Sequence, residues 1–180
     1  MGHYLKFDTI EKVFALRGEA CMTLEELNAL GILEARAAFE LCCGSQRWID
    51  GMLMRKPFAS AEDLQAAGRE IWGILDPKDW REAFSHHPRV EGLELLRIQW
   101  PGTPSVSDET FLELKKLYDD YYEKFGYAFL ASDSGTRRDD VLARLDARLN
   151  HSPDEELKIA ASEHEKITAK RLEKLVGQSL

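Results

Sequence analysis

Apolar residues recur along this chain at steps of three and four between turn formers, and almost nowhere in alternation. That spacing puts side chains on one face of an α-helix, whereas alternation would mark a half-buried strand. The clearest stripe follows Ser107-Asp108-Glu109-Thr110: Phe111, Leu114, Tyr118, Tyr121 and Phe125 share one face, and Gly126 is placed to stop the helix. Thr23 and Glu26 have the spacing of a capping box. A helix is expected from about Leu33 to Cys43, ending at Gly44, and Ser45 caps a following one that carries Trp48, Met52 and Met54. Ser60 or Ala61 opens a longer segment through Leu64, Ile71, Trp72 and Leu75; Pro77 and Asp79 break it, leaving a short helix from Trp80 to Ser85. Two more helices are expected, roughly over 137–150 and 153–176. Pro153 suits a first turn, and Asp154-Glu155-Glu156 complements the helix dipole there. Periodicity does not type the short apolar run Tyr127–Ala131.

The pattern therefore predicts an all-α, single-domain helical bundle of about seven to nine helices. It spans residues 1–180, with 1–22 as an N-terminal arm or helix. Periodicity fails only from Val90 to Val106, where Pro101, Gly102 and Pro104 mark a loop. Long loops inside compact domains more often carry function than short connections do.

The chain has 180 residues, enough for one domain that buries roughly 70% of its unfolded surface. The formal net charge of −8 repels phosphate backbones, and Arg137-Arg138 is followed at once by Asp139-Asp140, so nucleic acid is excluded as a partner. Cys21, Cys42 and Cys43 make a poor disulfide framework and read as small buried hydrophobes in a cytoplasmic protein. The N-terminus lacks the apolar run of a signal peptide, the C-terminus is not a peroxisomal address, and no stretch reaches the ~20 apolar residues of a membrane span. Glu-x-x-His, His-Glu-x-x-His, a phosphate-binding loop and a Gly-x-Ser-x-Gly elbow are all absent, so metal sites look poor and nucleotide-dependent and classical hydrolase readings have little support.

Two places combine unusual chemistry with position. His86-His87-Pro88-Arg89 lies where a helix ends and the irregular stretch begins. Pro88 keeps His87 out of α geometry, and an imidazole so held suits proton transfer near neutral pH; a histidine that merely ends a helix is the other reading. In the last helix the apolar stripe runs Leu157, Ala160, Ala161, His164, Ile167, Thr168, Leu172, Leu175, and Arg171 falls on or beside it. A guanidinium aimed at a core is costly unless paired. It either lies along the surface or pairs with a buried acid, or else it floors a pocket that awaits an anionic ligand.

Four ordered segments resemble the OHCU (2-oxo-4-hydroxy-4-carboxy-5-ureidoimidazoline) decarboxylase family. They are Cys42-Cys43-Gly44-Ser45-Gln46-Arg47-Trp48 with Met52 and Arg55-Lys56-Pro57-Phe58; Asp79-Trp80-Arg81-Glu82-Ala83-Phe84-Ser85-His86-His87-Pro88-Arg89; Tyr122-Glu123-Lys124-Phe125-Gly126-Tyr127-Ala128-Phe129; and Glu165-Lys166-Ile167-Thr168-Ala169-Lys170-Arg171-Leu172. Their order and spacing match over roughly residues 25–176, most of the chain. The resemblance implies an all-α homodimer without cofactor that decarboxylates a small ureido-imidazoline to (S)-allantoin in urate breakdown. It assigns His87 as the catalytic histidine and Pro88 as a pocket-lining neighbour. It gives Phe129, Leu130, Ala131, Ser132 and Asp133 as the backbone that holds ring and ureido groups, and Arg171 as a ligand contact.

The chain also departs from the family pattern. After His-Pro-Arg it reads Val90-Glu91-Gly92, the stretch that follows is shorter than the family's, and no Glu-Gln dipeptide is present. Glu109 lies at nearly the right distance from His87 to replace the missing acid, yet Asp108 and Glu109 equally suit a helix N-terminus; Glu91 and Glu94 are weaker stand-ins. Ala131-Ser132-Asp133-Ser134-Gly135-Thr136 also differs from the usual sequence. A diverged member that binds a ligand or partner without catalysis, and a purely helical interaction module, are the alternatives.

Overall fold

The computed structural model describes residues 22–87, 89, 108–132 and 138–177, with the side chains of all of these except 108–111 and 138–140. Among the described residues there are eight α-helices and no strand: α1 Leu24–Ala29, α2 Ile32–Cys42, α3 Gln46–Arg55, α4 Ala61–Gly73, α5 Pro77–Ser85, α6 Asp108–Phe125, α7 Arg138–Leu149 and α8 Pro153–Leu175. The all-α expectation holds. Residues 1–21 of the expected arm and the loop 90–106 lie outside the described residues.

The helix starts follow from local chemistry. Thr23 and Glu26 form a reciprocal capping box, Ser45 accepts from the amide of Trp48, and Ser60 accepts from that of Asp63. One boundary differs from the sequence reading: α5 begins at Pro77, not Trp80. Asp76 accepts from the amides of Lys78 and Asp79, and Pro77 occupies the first turn, where its missing N–H costs nothing. Proline therefore opens this helix rather than delaying it. At the end of α6, Gly126 adopts φ +79°, a left-handed stop that favours glycine.

The chain divides into two compact units, Pro88–Glu163 and the remainder, with the boundary inside α8. The first unit holds α1–α5 and the stretch of α8 from His164 onward. Its core includes Phe39, Trp48, Ile49, Met52, Leu64, Phe84 and Leu172, all essentially without solvent exposure. Trp48 donates its indole N–H to the carbonyl of Gly68 at 3.0 Å. A Cβ on Gly68 would lie 3.0 Å from the Leu172 side chain, so the bare backbone there lets α4 and α8 approach closely. The second unit centres on Tyr121, Phe125, Tyr127 and Leu145, with a buried ion pair between Arg148 and Glu156.

Long-range polar clamps fix the turns of the first unit. Asn28 donates to the carbonyl of Phe58 at 2.8 Å and accepts from its amide at 2.9 Å, while Lys56 donates to the carbonyl of Leu30 at 2.8 Å. Phe58 is buried, so both of its backbone groups depend on that one amide side chain. Asn28→Ala should lower unfolding free energy by about 1–3 kcal/mol, the usual cost of stranding a buried polar group. Urea denaturation checks this; a change below a few tenths of a kcal/mol would show that the clamp is dispensable.

Candidate active site

His87 sits one residue beyond the turn that ends α5. Its amide donates to the carbonyl of Phe84 at 2.9 Å, which continues the helix end and turns the imidazole inward. The side chain is almost fully buried, at 7% exposure. Its ring meets that of His164 edge to face, with centroids 5.1 Å apart and planes at 76°. His164 has no solvent exposure; it stacks on Trp72 at 4.8 Å and 12°, with Phe84 at 5.6 Å. Its Nδ1 lies 3.3 Å from the Thr168 hydroxyl, one turn further along α8.

Arg171 belongs to the same unit. Its Nη1 donates to the carbonyl of Cys42 at 3.1 Å, and the Thr168 hydroxyl donates to that carbonyl at 3.5 Å. Cys42 is the last residue of α2, so its carbonyl is one of those the helix itself leaves without a partner. The negative end of the helix dipole thus faces the guanidinium. Beyond it, Gly44 packs directly beneath His86: a Cβ there would fall 2.2 Å from the imidazole ring. Any larger residue at 44 would displace the histidine that precedes His87.

Burial, the Arg171 charge and His86 together hold His87 down to a pKa of about 3. Burial, then His87, Arg171 and His86, likewise keep His164 well below the usual histidine range. Both rings are therefore neutral at physiological pH, and each has one nitrogen with a proton and one without. Burial pushes the thiols of Cys42 and Cys43 up to about 12, so neither is an activated nucleophile. Burial also pulls Arg171 below the ordinary arginine range, yet a guanidinium remains charged at any biological pH. A neutral imidazole can accept a proton once a bound anion offsets the nearby cation, and the cation can hold that anion. Nearby in this unit a notch of about 10 Å³, room for one water, is lined by Gln65, Trp72, Thr168 and Leu172 among others; neither His87 nor Arg171 borders it.

The other sequence-predicted residues fall in the second unit or outside the description. Pro88, Asp133 and the side chain of Glu109 lie outside the described residues, as do Glu91 and Glu94. Phe129, Leu130, Ala131 and Ser132 form an irregular segment after α6. Arg148 donates to the carbonyl of Leu130 at 2.6 Å, and the amide of Ser132 donates to Glu163 at 2.6 Å. The Arg148 guanidinium also lies over the Phe129 ring, 4.4 Å from its centroid. Glu156, with no exposure, accepts from Arg148 at 2.7 Å and from the hydroxyl of Tyr121. Sequence reasoning missed Arg148 and the Cys42 carbonyl, and it read His164 only as one position in an apolar stripe. A histidine within a stripe of Leu, Ala and Ile was the available signal. Among the described residues, no three His, Cys, Asp or Glu side chains converge as a metal site, and no helix is long and apolar enough to cross a membrane.

Comparison with known proteins places this geometry in context. A family model described as OHCU decarboxylase matches residues 28–173. The chain is 32% identical over 149 residues to the uric acid degradation bifunctional protein TTL of Arabidopsis thaliana, covering 76% of this chain but only 46% of that protein. It thus spans less than half of that relative's length. It is 28% identical over 136 residues to the 2-oxo-4-hydroxy-4-carboxy-5-ureidoimidazoline decarboxylase of Mus musculus, covering 68% of this chain and 75% of the mouse protein. A crystal structure of OHCU decarboxylase in the presence of (S)-allantoin superposes with a TM-score of 0.66 at 30% identity, covering 78% of this chain and 97% of that one.

The depressed histidines link stability to pH. Between pH 6.5 and about 3 an unfolded chain binds a proton at position 87 that the folded chain refuses, and His164 acts in the same direction. Stability from these sites is complete above pH 6.5 and is lost as pH falls through that window, by up to ~1.4 kcal/mol per pH unit for each histidine. Thermal midpoints followed from pH 7.5 to 4.5 should fall, and His87→Phe should flatten the slope. Parallel curves for the two proteins would show that residue 87 protonates freely in the folded state.

Proposed function

The chain belongs to the OHCU decarboxylase family, and from that premise we propose that it converts 2-oxo-4-hydroxy-4-carboxy-5-ureidoimidazoline to (S)-allantoin in urate degradation, without metal or organic cofactor. The observation that carries this reading is a buried neutral imidazole that feels the charge of a half-buried fixed cation inside the matched region.

The substrate chemistry needs little more. Breaking the bond between the ring carbon and its carboxylate releases carbon dioxide and leaves an electron pair that the neighbouring imine accepts. The 4-hydroxyl loses its proton as it becomes the carbonyl of allantoin, the imine nitrogen that received the electron pair takes up one proton, and the carbon bearing the ureido group takes up another from one side, a net gain of one proton. His87, neutral in the empty protein, accepts the hydroxyl proton on its free ring nitrogen once the bound carboxylate offsets the Arg171 charge. Arg171 contacts the anionic ligand and neutralises charge that burial would otherwise penalise. Partial desolvation of a carboxylate and fixed orientation then supply the acceleration, with orientation alone worth on the order of 7–11 kcal/mol. The reading further assigns Pro88 to the pocket lining, ring and ureido recognition to the backbone of Phe129, Leu130, Ala131, Ser132 and Asp133, and proton handling on the opposite side to Glu109. A cytoplasmic homodimer completes it.

Freshly generated substrate, followed by circular dichroism as chiral allantoin forms, tests the proposal. The protein should accelerate formation of the S enantiomer; His87→Ala should lower kcat by about 10²–10⁴-fold, the usual span for a general base. Arg171→Met should lower kcat/KM, chiefly by raising KM. A rate equal to spontaneous decay would remove the enzymatic reading and leave a binding protein.

A further inference from the structure

We infer that His164 is a positioning residue for His87: held by Trp72 and Thr168, its ring sets the plane of the neighbouring imidazole. This rests on the reading of His87 as the reacting imidazole, but the structural part stands on its own observations.

The lock follows from proton counting. The Thr168 hydroxyl has one proton, and the Cys42 carbonyl can only accept. That hydroxyl donates to the carbonyl at 3.5 Å, so its oxygen is left to accept from the ring nitrogen 3.3 Å away. On that count we assign His164 the Nδ1–H tautomer. Its Nε2 carries a bare lone pair, has no solvent exposure and has no hydrogen-bond partner among the described residues. An acceptor stranded in a core is rare in folded proteins and calls for an explanation. The aromatic contacts fix the rest of the ring: Trp72 stacks on it nearly parallel at 4.8 Å, and Phe84 flanks it at 5.6 Å. A disc held on these sides cannot rotate, and the ring it meets edge to face is His87.

The same chain of contacts reaches the cation. Cys42 presents one carbonyl to both Thr168 and Arg171. The imidazole and the guanidinium assigned to the reaction are thus referenced to one backbone atom, with His164 as the link on the imidazole side. A base that must take one particular proton gains from such fixation, because a misplacement of about 1 Å can cost 10²-fold in rate.

The test separates positioning from packing. His164→Phe keeps a flat ring on Trp72 and removes both nitrogens; Thr168→Val removes only the hydroxyl that sets the tautomer. Long-range proton–nitrogen NMR of the folded protein reads whether the His87 ring is held in a single state. In the parent, the two ring nitrogens of His87 should show the widely separated shifts of a single neutral tautomer; in either variant they should move toward averaged values. With ureidoimidazoline substrate, kcat should fall about tenfold in each variant while KM stays within about twofold, and the double variant should lose no more than the worse single one, as coupled positions do. Unchanged His87 shifts in both variants would overturn the inference, as would additive losses of kcat. If His164→Phe fails to fold, Thr168→Val decides alone. If the parent lacks decarboxylase activity, the shifts still decide whether His164 sets His87, so failure of this inference and failure of the proposed function remain distinct.

Discussion

One main-chain carbonyl, that of Cys42, organises the first unit. It terminates α2, so no turn of that helix can supply it with an amide, and two side chains of α8 reach it instead. Arg171 comes from 129 residues away in sequence and Thr168 from 126. This resolves the puzzle of a guanidinium on an apolar stripe: the cation is oriented by the dipole end of a helix. A helix terminus carries only about half a charge, so this contact orients the guanidinium without cancelling it.

The two histidines inherit their state from that arrangement. A positive charge beside a buried imidazole makes a second positive charge expensive, and burial adds to the cost. Both effects act in one direction on His87 and on His164, which is why neither titrates near neutrality. A bound carboxylate would reverse the balance by offsetting Arg171. His87 would then become able to hold a proton while an anion is present; loss of carbon dioxide leaves that charge on the ring, and only proton uptake by the ring discharges it. Proton affinity and reaction progress are thereby linked by electrostatics alone, without movement of the backbone.

Much of this was legible in the sequence, and the reason is locality. Capping residues act within a turn, so Thr23, Ser45 and Ser60 mark helix starts wherever they lie. The inward cation was legible as a conflict between Arg171 and the periodicity around it, and His87 as a histidine placed where a helix ends. What stayed hidden depends on partners far apart in sequence. A carbonyl has no side-chain identity, so nothing in the letters distinguishes Cys42 from any other helix end. His164 was visible as a residue but not as a neighbour of His87, because 77 positions separate them. Pro77 misled for a different reason: proline both breaks helices and opens them, and only the acceptor side chain of Asp76 decides which.

The second unit shows how the irregular segment 129–132 satisfies its own backbone. Irregular backbone among buried aromatic rings must satisfy its own polar groups, or the cost of stranding them falls on folding. Arg148 takes the Leu130 carbonyl, and Glu163 takes the Ser132 amide. Arg148 can do so because Glu156 and Tyr121 share the burden of its charge, with His151 on the other carboxylate oxygen at 2.9 Å. Removing one member of such a buried pair commonly costs 3–5 kcal/mol, which makes the segment's shape a property of the core rather than of the loop. Two of its polar groups are thus committed to the scaffold. A ligand held by this backbone would rely on groups such as those of Ala131, presented between two anchored neighbours.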